Sequence, residues 1–280
     1  MKYSGLYYIP NPSTNLENSL ATVKSLIQSI EDTFQTASRQ TPWTLSYRAF
    51  RDTLPPNYTP PTDEKGSPKP YPHTYQHLLH HSSYGATRTY ICIQSPPSAA
   101  GEHAKGTVTA IPAQQQDSYA SLIRHQQAAL WSPRHVLSVQ GGAAYTTGGM
   151  FDIQVGELRA SREGPQAQSG VVQSPGVIVC ISTLVGSAEE ASSTSNSQKP
   201  GQNGTAANGN GDDEGYAEGP DFDYAQAVIR ECWKKIKEGV DLGRSEVREV
   251  MMAAREEVHG GLREQEAAVR AWCEVLKLRG

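Results

Sequence analysis

The sequence predicts an α+β protein, in which an antiparallel β-sheet is curled into a barrel with flanking helices on its outside. Two observations predict this class. Short β-type segments follow one another closely between residues 134 and 185, with Gly-Gly and polar turns between them. Helical periodicity lies before and after this run, and it never alternates regularly with single strands. The pattern therefore favours antiparallel connections over a doubly wound parallel sheet.

The first hundred residues predict a strand, a helix and further strands. Gly5–Ile9 is a short apolar strand. Thr14 and Glu17 fit a capping box, and the helix that follows should run to about Gln35. Apolar residues share one face of this helix at spacings of three and four: Leu16, Leu20, Val23, Ile27, Ile30 and Phe34. Further strands are predicted at Trp43–Phe50, Thr87–Gln94 and Gly106–Ile111, and the proline-rich residues 51–72 predict an extended surface loop.

The middle of the chain predicts a second helix and then consecutive strands. Asp117 or Ser118 can cap this helix at its N-terminus. Its inward face is predicted to be Tyr119, Leu122, Ile123, Gln126 and Leu130. Gly141-Gly142 and Gly148-Gly149 are predicted hairpin turns. The strands beyond them are Met150–Arg159, which alternates cleanly, and Gly170–Val185, with a bend at Pro175-Gly176.

These elements predict four regions. Residues 1–185 form a β-barrel domain with two helices, and residues 186–220, which are rich in Ser, Asn, Gly, Glu and Asp, form a disordered linker. Residues 221–242 form a helix that packs back on the barrel through one apolar stripe, which consists of Ala225, Ile229, Cys232 and Ile236. Residues 243–280 are predicted to be a charged helical tail.

Composition excludes several classes of function. Only 37% of the residues are hydrophobic, so part of the chain is expected to lie outside any core. The net charge is −4 and the basic residues are dispersed, which argues against direct nucleic-acid binding. We expect no secretory signal and no membrane span. Cys92, Cys180, Cys232 and Cys273 lie far apart, which in a reducing compartment predicts buried thiols.

Three patterns resemble catalytic or nucleotide sites, and each has a plainer explanation. The Lys105 of a phosphate-loop-like segment, 101–107, precedes the glycine that it should follow. The text Ser174-Pro175-Gly176 lies in a predicted strand and lacks the first glycine of a nucleophile elbow. Asp152 and Glu157 face opposite sides of one strand, so solvent-facing charges are predicted rather than an acid–base pair.

A histidine-rich segment is the best metal candidate. It contains His73, His77, His80 and His81, and a spacing of four could place two of them on one helical face. No carboxylate or cysteine lies among them, so ordinary histidines in a surface segment are predicted instead. Trp43, Trp131 and Trp233 lie in or beside apolar faces and are expected to pack in the core. We therefore predict no catalytic residue, no cofactor and no metal.

Two alternatives to a protein-binding scaffold remain open at this point. A hydrolytic barrel enzyme would have a deep pocket with converging polar groups. A small-molecule-binding barrel would have a hollow interior. The patterns described above favour the non-catalytic scaffold.

An ordered set of segments resembles the fungal form of the Mediator subunit 20 family. The set is GLYYIP, WTLSYRAFRDT, YQHLLHHSSY, TYICIQ, RHVLSVQGGAAYTTGGMFDIQVGELR, GVVQSPGVIVCI and DYAQAVIRECWKKI. The resemblance covers residues 1–185 and 221–239 and is strongest over Leu137–Arg159. It departs from the family at 186–220, an insertion, and after about Gly243, where family members usually finish with a short extended segment.

The resemblance implies a β-barrel with flanking helices and a non-catalytic role in the nucleus. It implies a transcription coregulator in the Mediator head module, which acts on RNA polymerase II indirectly. The partners implied are Mediator subunit 18, as a heterodimer, and other head subunits. The long charged tail puts the final strand of the barrel in doubt.

Overall fold

A computed structural model of the chain describes residues 1–62, 66–96, 106–161, 173–185, 222–242, 245–253 and 261–277. Ten strands lie in these ranges: β1 (Lys2–Pro10), β2 (Ala37–Arg39), β3 (Trp43–Asp52), β4 (Tyr75–His81), β5 (Arg88–Gln94), β6 (Gly106–Pro112), β7 (Trp131–Thr147), β8 (Phe151–Ser161), β9 (Gln173–Leu184) and β10 (Arg248–Met251). The four helices of these ranges are α1 (Leu16–Thr33), α2 (Gln116–Gln126), α3 (Phe222–Glu238) and α4 (Gly261–Leu276). This confirms the α+β class. The predicted linker, residues 186–220, lies outside the described residues.

All ten described strands belong to one antiparallel sheet. Its order is β10-β1-β9-β8-β7-β3-β4-β5-β6, with β2 paired beside one end of β7. Helix α4 contacts β1 and β10 at one end of this order and β4, β5 and β6 at the other. Because one helix reaches both ends, the sheet must be curled around it as a half-barrel. We call the face that α4 contacts the inner face and the opposite one the outer face.

Three helices cover the outer face. Tyr7, Ile153 and Val179 are fully or almost fully buried there and belong to one apolar cluster with residues of α1 and α3. Every residue of the predicted α3 stripe is buried, and Trp233 stacks on Tyr7 with 4.6 Å between ring centroids. Helix α2 covers the β3–β4 part of this face through Ala120 and Ile123. The first three helices lie outside the sheet as predicted, but Leu20 of α1 and Leu122 of α2, which are predicted to face inward, are exposed.

The predicted charged tail takes a different form in the structure. The prediction of a helix over 248–251 is wrong, because this segment is strand β10 and pairs with β1. Its charges belong to ion pairs between elements: Arg230 to Glu249 and Arg248 to Glu274, each at 2.9 Å. Helix α4 then lies inside the curl, with Trp272 and Leu276 fully buried. Charges that indicated a solvated helix therefore hold the edge of the sheet instead.

Strand β7 passes through Gly141-Gly142 without a hairpin, so that predicted turn is wrong. The two glycines lie where the pairing of β7 with β3 and β8 shifts register. A Cβ on Gly142 would lie 2.3 Å from Nε1 of Trp43, so this position leaves room for the indole ring. That ring donates a hydrogen bond from Nε1 to the carbonyl of Ala143 at 3.1 Å. Gly148 and Gly149 do form the predicted turn, both with positive φ.

Two helix ends also differ from the prediction. Asn15, rather than Thr14, caps α1, because its side-chain oxygen accepts from the backbone N–H of Glu17 at 2.9 Å. Helix α2 ends at Gln126, and Leu130 is exposed beyond it. Trp131 begins β7 and is partly buried against the α2 cluster, whereas Trp43 and Trp233 are in the core as predicted.

We expect the substitution Ile229→Asp to destabilise the fold by about 3 kcal/mol or more, because it would place a charge on a fully buried site. Ile229 lies so close to β1 that a Cβ on Gly5 would be 2.8 Å from its Cγ2 atom. The matched control, Lys235→Asp, changes an exposed residue of the same helix and should cost under about 0.5 kcal/mol. Urea melts of both variants measure this. Equal midpoints for the two would show that α3 is not docked.

Candidate protein-interaction surface

The histidine-rich segment forms a buried strand rather than a surface segment or a helix. In β4, His77 and His81 point to the inner face and are fully buried, which corrects the prediction of ordinary surface histidines. His80 lies on the other face, where its Nδ1 is 2.9 Å from the carbonyl oxygen of Arg88. His73, ahead of the strand, has its Nδ1 2.6 Å from Asp52. The segment therefore spreads its histidines over both faces of the sheet.

His77 sits in a closed hydrogen-bond chain under α4. Its Nδ1 is 2.8 Å from the hydroxyl of Tyr47, and its Nε2 is 3.0 Å from Oε1 of Gln94. An amide oxygen accepts, so Nε2 carries the proton and Nδ1 accepts from the tyrosine hydroxyl. Burial lowers the pKa of His77 to about 3, and burial also raises the pKa of Tyr47 well above its ordinary value. Both groups are therefore neutral and serve packing.

His81 is part of an aromatic cluster that joins α4 to the sheet. Its ring stacks on Trp43 with centroids 5.0 Å apart and lies 4.8 Å from Trp272. Its Nδ1 accepts a hydrogen bond from the backbone N–H of Ser83 at 3.2 Å. Burial lowers the pKa of His81 to about 3, so it too is neutral at physiological pH. Trp272 in turn donates from Nε1 to the hydroxyl of Tyr84 at 2.9 Å.

The four cysteines are buried and suit packing rather than chemistry. All four are buried, and none of them forms a disulfide. Burial raises the pKa of Cys180 to about 11 and that of Cys232 to about 12. Cys92 and Cys273 are hydrogen-bonded to each other between β5 and α4. This bond lowers the pKa of Cys92, whereas burial raises the pKa of Cys273 well above its usual range. Reactive cysteines are partly exposed, and all four cysteines here are buried, so these thiols suit packing.

The other sequence candidates are not brought together. Ser174 is fully buried in β9 and donates to Oγ of Ser19 at 2.7 Å. Asp152 pairs with Lys2 at 2.6 Å. Glu157 is buried and bonded to Arg159, which corrects the prediction that it faces solvent. In the part of the chain that the structure describes, no three His, Cys, Asp or Glu residues are grouped as metal ligands. Of the phosphate-loop-like segment, 101–105 lie outside the described residues, and Gly106 begins β6.

The two edges of the sheet differ in length and in charge. Strand β10 has four residues, and its Arg248 and Glu249 are held in ion pairs. Strand β6 has seven residues, GTVTAIP, and carries no charged side chain. Among the described strands β6 pairs with β5 alone, so its second row of backbone groups faces outward. Sequence reasoning found this strand but could not place it at the edge, because order in a sheet is not local.

Fold and surface define the class: a curled antiparallel sheet with a closed interior and a long uncharged edge, which suits contacts with other proteins. A family model agrees with this class. The model described as the TATA-binding related factor of subunit 20 of the Mediator complex matches residues 1–262. The chain belongs to the Mediator subunit 20 family.

Membership gives the chain its general role. It is a non-catalytic subunit of the Mediator head, it takes part in regulating transcription by RNA polymerase II, and it acts in the nucleus. This confirms the function and location that the resemblance implied, and it decides against the hydrolytic alternative. Among the described helices, none combines the length and apolar character that a membrane crossing requires.

The solved structures that align with this chain resemble it distantly. Comparison with curated protein sequences gives no match. A protein of Pyrococcus horikoshii OT3 aligns with TM-score 0.36 and 9% identity over 87% of this chain and 96% of its own. A conserved hypothetical protein of Pyrococcus furiosus aligns with TM-score 0.35 and 8% identity over the same shares. A Hippeastrum protein described as having a dominant triphosphatase activity aligns with TM-score 0.30 and 11% identity, over 65% of this chain and 79% of its own.

Acidification should destabilise the fold through His77 and His81. Their pKa values are lowered in the folded state, so the unfolded chain binds more protons below its histidine pKa of about 6.5. The stability that the two neutral rings contribute is complete above that pH and is lost as the pH falls toward about 3. For each histidine, the unfolding free energy should fall by up to about 1.4 kcal/mol for every pH unit of acidification in this window.

The measurement is a series of urea melts between pH 7.5 and 4.5 on the parent and on His81→Gln. The variant should be less stable at pH 7.5 and should have a shallower dependence of unfolding free energy on pH. An unchanged pH dependence in the variant would contradict the burial of a neutral His81.

Proposed function

We propose that the chain acts as a protein–protein scaffold through a heterodimer with Mediator subunit 18, and that strand β6 is part of the contact. Family membership supports the complex. The observation that carries the proposed surface is the contrast between the two sheet edges. Natural sheets protect an exposed edge by keeping it short or charged, and β10 meets both conditions. Strand β6 meets neither, so a partner strand is the simplest cover for it.

The side chains of β6 suit such a contact. Thr107 and Thr109 are exposed on the outer side of the strand, where exposed Ile93 is the cross-strand neighbour of Thr107. Ala110 is exposed on the inner side. A partner strand would add backbone hydrogen bonds along seven residues and cover small β-branched side chains at little entropic cost. An uncovered edge of this kind also favours self-association of the isolated chain.

The double substitution Thr109→Lys/Ala110→Lys should weaken pairing with subunit 18, because it places one charge on each face of the edge strand. We expect at least a tenfold loss of affinity by titration calorimetry, or loss of co-purification after co-expression. The matched control is Ser25→Lys, which adds a charge at an exposed site of α1, a helix that packs on β8 and β9. It should bind like the parent.

Unfolding should not account for a loss of binding, because the changed residues are exposed and the unfolding midpoints of the variants should shift little. The lone parent chain should self-associate, co-expression with subunit 18 should restore a defined complex, and the lysine variant alone should self-associate less. Parent-like binding by the double variant would contradict the proposed edge. A monomeric lone chain that does not bind subunit 18 would contradict the heterodimer itself.

A further inference from the structure

The loop between β3 and β4 carries a proline-rich segment that takes part neither in the core nor in the β6 edge. Residues 54–62 read LPPNYTPPT, and Pro55-Pro56-Asn57-Tyr58 is a Pro-Pro-x-Tyr sequence. Leu54 and Pro55 each precede a proline, which restricts both of them to extended backbone. The rings of Pro55 and Pro56 fix their φ angles at about −65°. The segment therefore reaches its turn in a polyproline-type conformation, which loses little entropy on binding.

Both ends of this loop are fastened to the rest of the fold. At its start, the backbone N–H of Thr53 donates to the carbonyl of Leu130 at 2.9 Å, and the Thr53 hydroxyl donates to the carbonyl of Ala129 at 2.6 Å. At its end, the backbone N–H of Thr74 donates to Oδ2 of Asp52 at 3.1 Å. The proline-rich segment begins at the next residue after Thr53, so a fixed anchor holds it at the surface.

The segment is accessible along its apolar side chains. Leu54 is 54% exposed, and Pro55, Pro56 and Asn57 are exposed as well. Leu130, whose carbonyl anchors the start of the loop, is 62% exposed. Exposed apolar residues that gather in one place, unlike single ones, mark an interaction site. The proline rings and the two leucines meet this condition.

A turn places Tyr58 beside the prolines. Its backbone N–H donates to the carbonyl of Pro55 at 3.0 Å, which closes a turn over Pro56 and Asn57. The ring of Tyr58 is partly buried and lies edge-on to the ring of Tyr71, with 4.7 Å between the centroids. A protein that binds the segment has to take the Tyr58 ring from this contact, whereas the two proline rings are accessible as they stand.

We propose that residues 54–58 are a binding site for a WW-type domain of another protein. Such domains hold consecutive prolines between the aromatic rings of a groove and take the tyrosine of a Pro-Pro-x-Tyr sequence in a second pocket. An SH3-type domain, which also binds proline-rich segments, additionally pairs with an arginine or lysine of its ligand, and residues 54–62 contain neither. The site lies in the β3–β4 loop, so it is independent of the pairing proposed for β6.

The test uses the folded full chain, immobilised at low density so that self-association does not interfere. The probe is an isolated WW domain of the class that binds Pro-Pro-x-Tyr peptides, and binding is followed by biolayer interferometry. We expect saturable one-to-one binding that a free peptide of residues 51–62 displaces, and no binding of an SH3 domain at the same concentrations. If the WW domain binds the peptide but not the full chain, the fold withholds the segment and the proposal is wrong. Binding of the SH3 domain in place of the WW domain would contradict it equally.

Variants of the full chain test which side chains are recognised. Pro56→Ala and Tyr58→Ala should each weaken binding at least about tenfold, because each removes an anchor that enters a pocket. The matched control is Pro70→Ala, which removes an exposed proline of the same loop outside the segment and should bind like the parent. The unfolding midpoints of all three variants should stay near that of the parent, since the changes lie in a surface loop. Parent-like binding by either of the first two variants would overturn the proposal.

Discussion

The fold depends on one constraint: its central strands are apolar on both faces. In β1, Leu6 and Tyr7 are neighbours that point to opposite sides, and both are fully or almost fully buried. Ile178 and Val179 of β9 repeat the pattern. A sheet of this kind is stable only when a layer of structure covers each face. Helices α1, α2 and α3 cover the outer face, so a further element must cover the inner face, and α4 does so.

The aromatic cluster shows how that inner cover is fixed. Trp43 of β3 contacts His81 of β4 and, 5.7 Å away, the ring of Trp272 in α4. Its indole lies where Gly142 and Gly156 leave space on β7 and β8. Four strands and one helix therefore meet at a single side chain. Close packing of this kind specifies one position for α4, which a general apolar surface would not.

The sequence was most informative where periodicity had one interpretation. The α3 stripe and the alternation of Phe151, Ile153 and Val155 predicted buried residues correctly. The α1 stripe did not, because Leu20 is exposed and Leu26, which lies outside the stripe, is fully buried. A spacing of four was ambiguous for His77 and His81, because i and i+4 share a face in a helix and also in a strand. Only the pairing of β4 with β3 and β5 resolves it. Gly141-Gly142 misled for a similar reason, because Gly142 leaves room for the indole ring of Trp43, which is distant in the sequence. The charged residues of β10 pair with residues of α3 and α4, and the neighbouring sequence does not reveal such distant partners.

The edge strand and the inner face of the sheet both need a covering partner. An edge strand has backbone groups that need partners, and a concave apolar face has side chains that need cover. The chain meets the second need within itself, because α4 brings Trp272 and Leu276 into the curl. It meets the first at β10 with a short, charged strand and leaves β6 long and uncharged. The covered inner face stabilises the fold, and the long uncharged edge at β6 is where we propose that the partner binds.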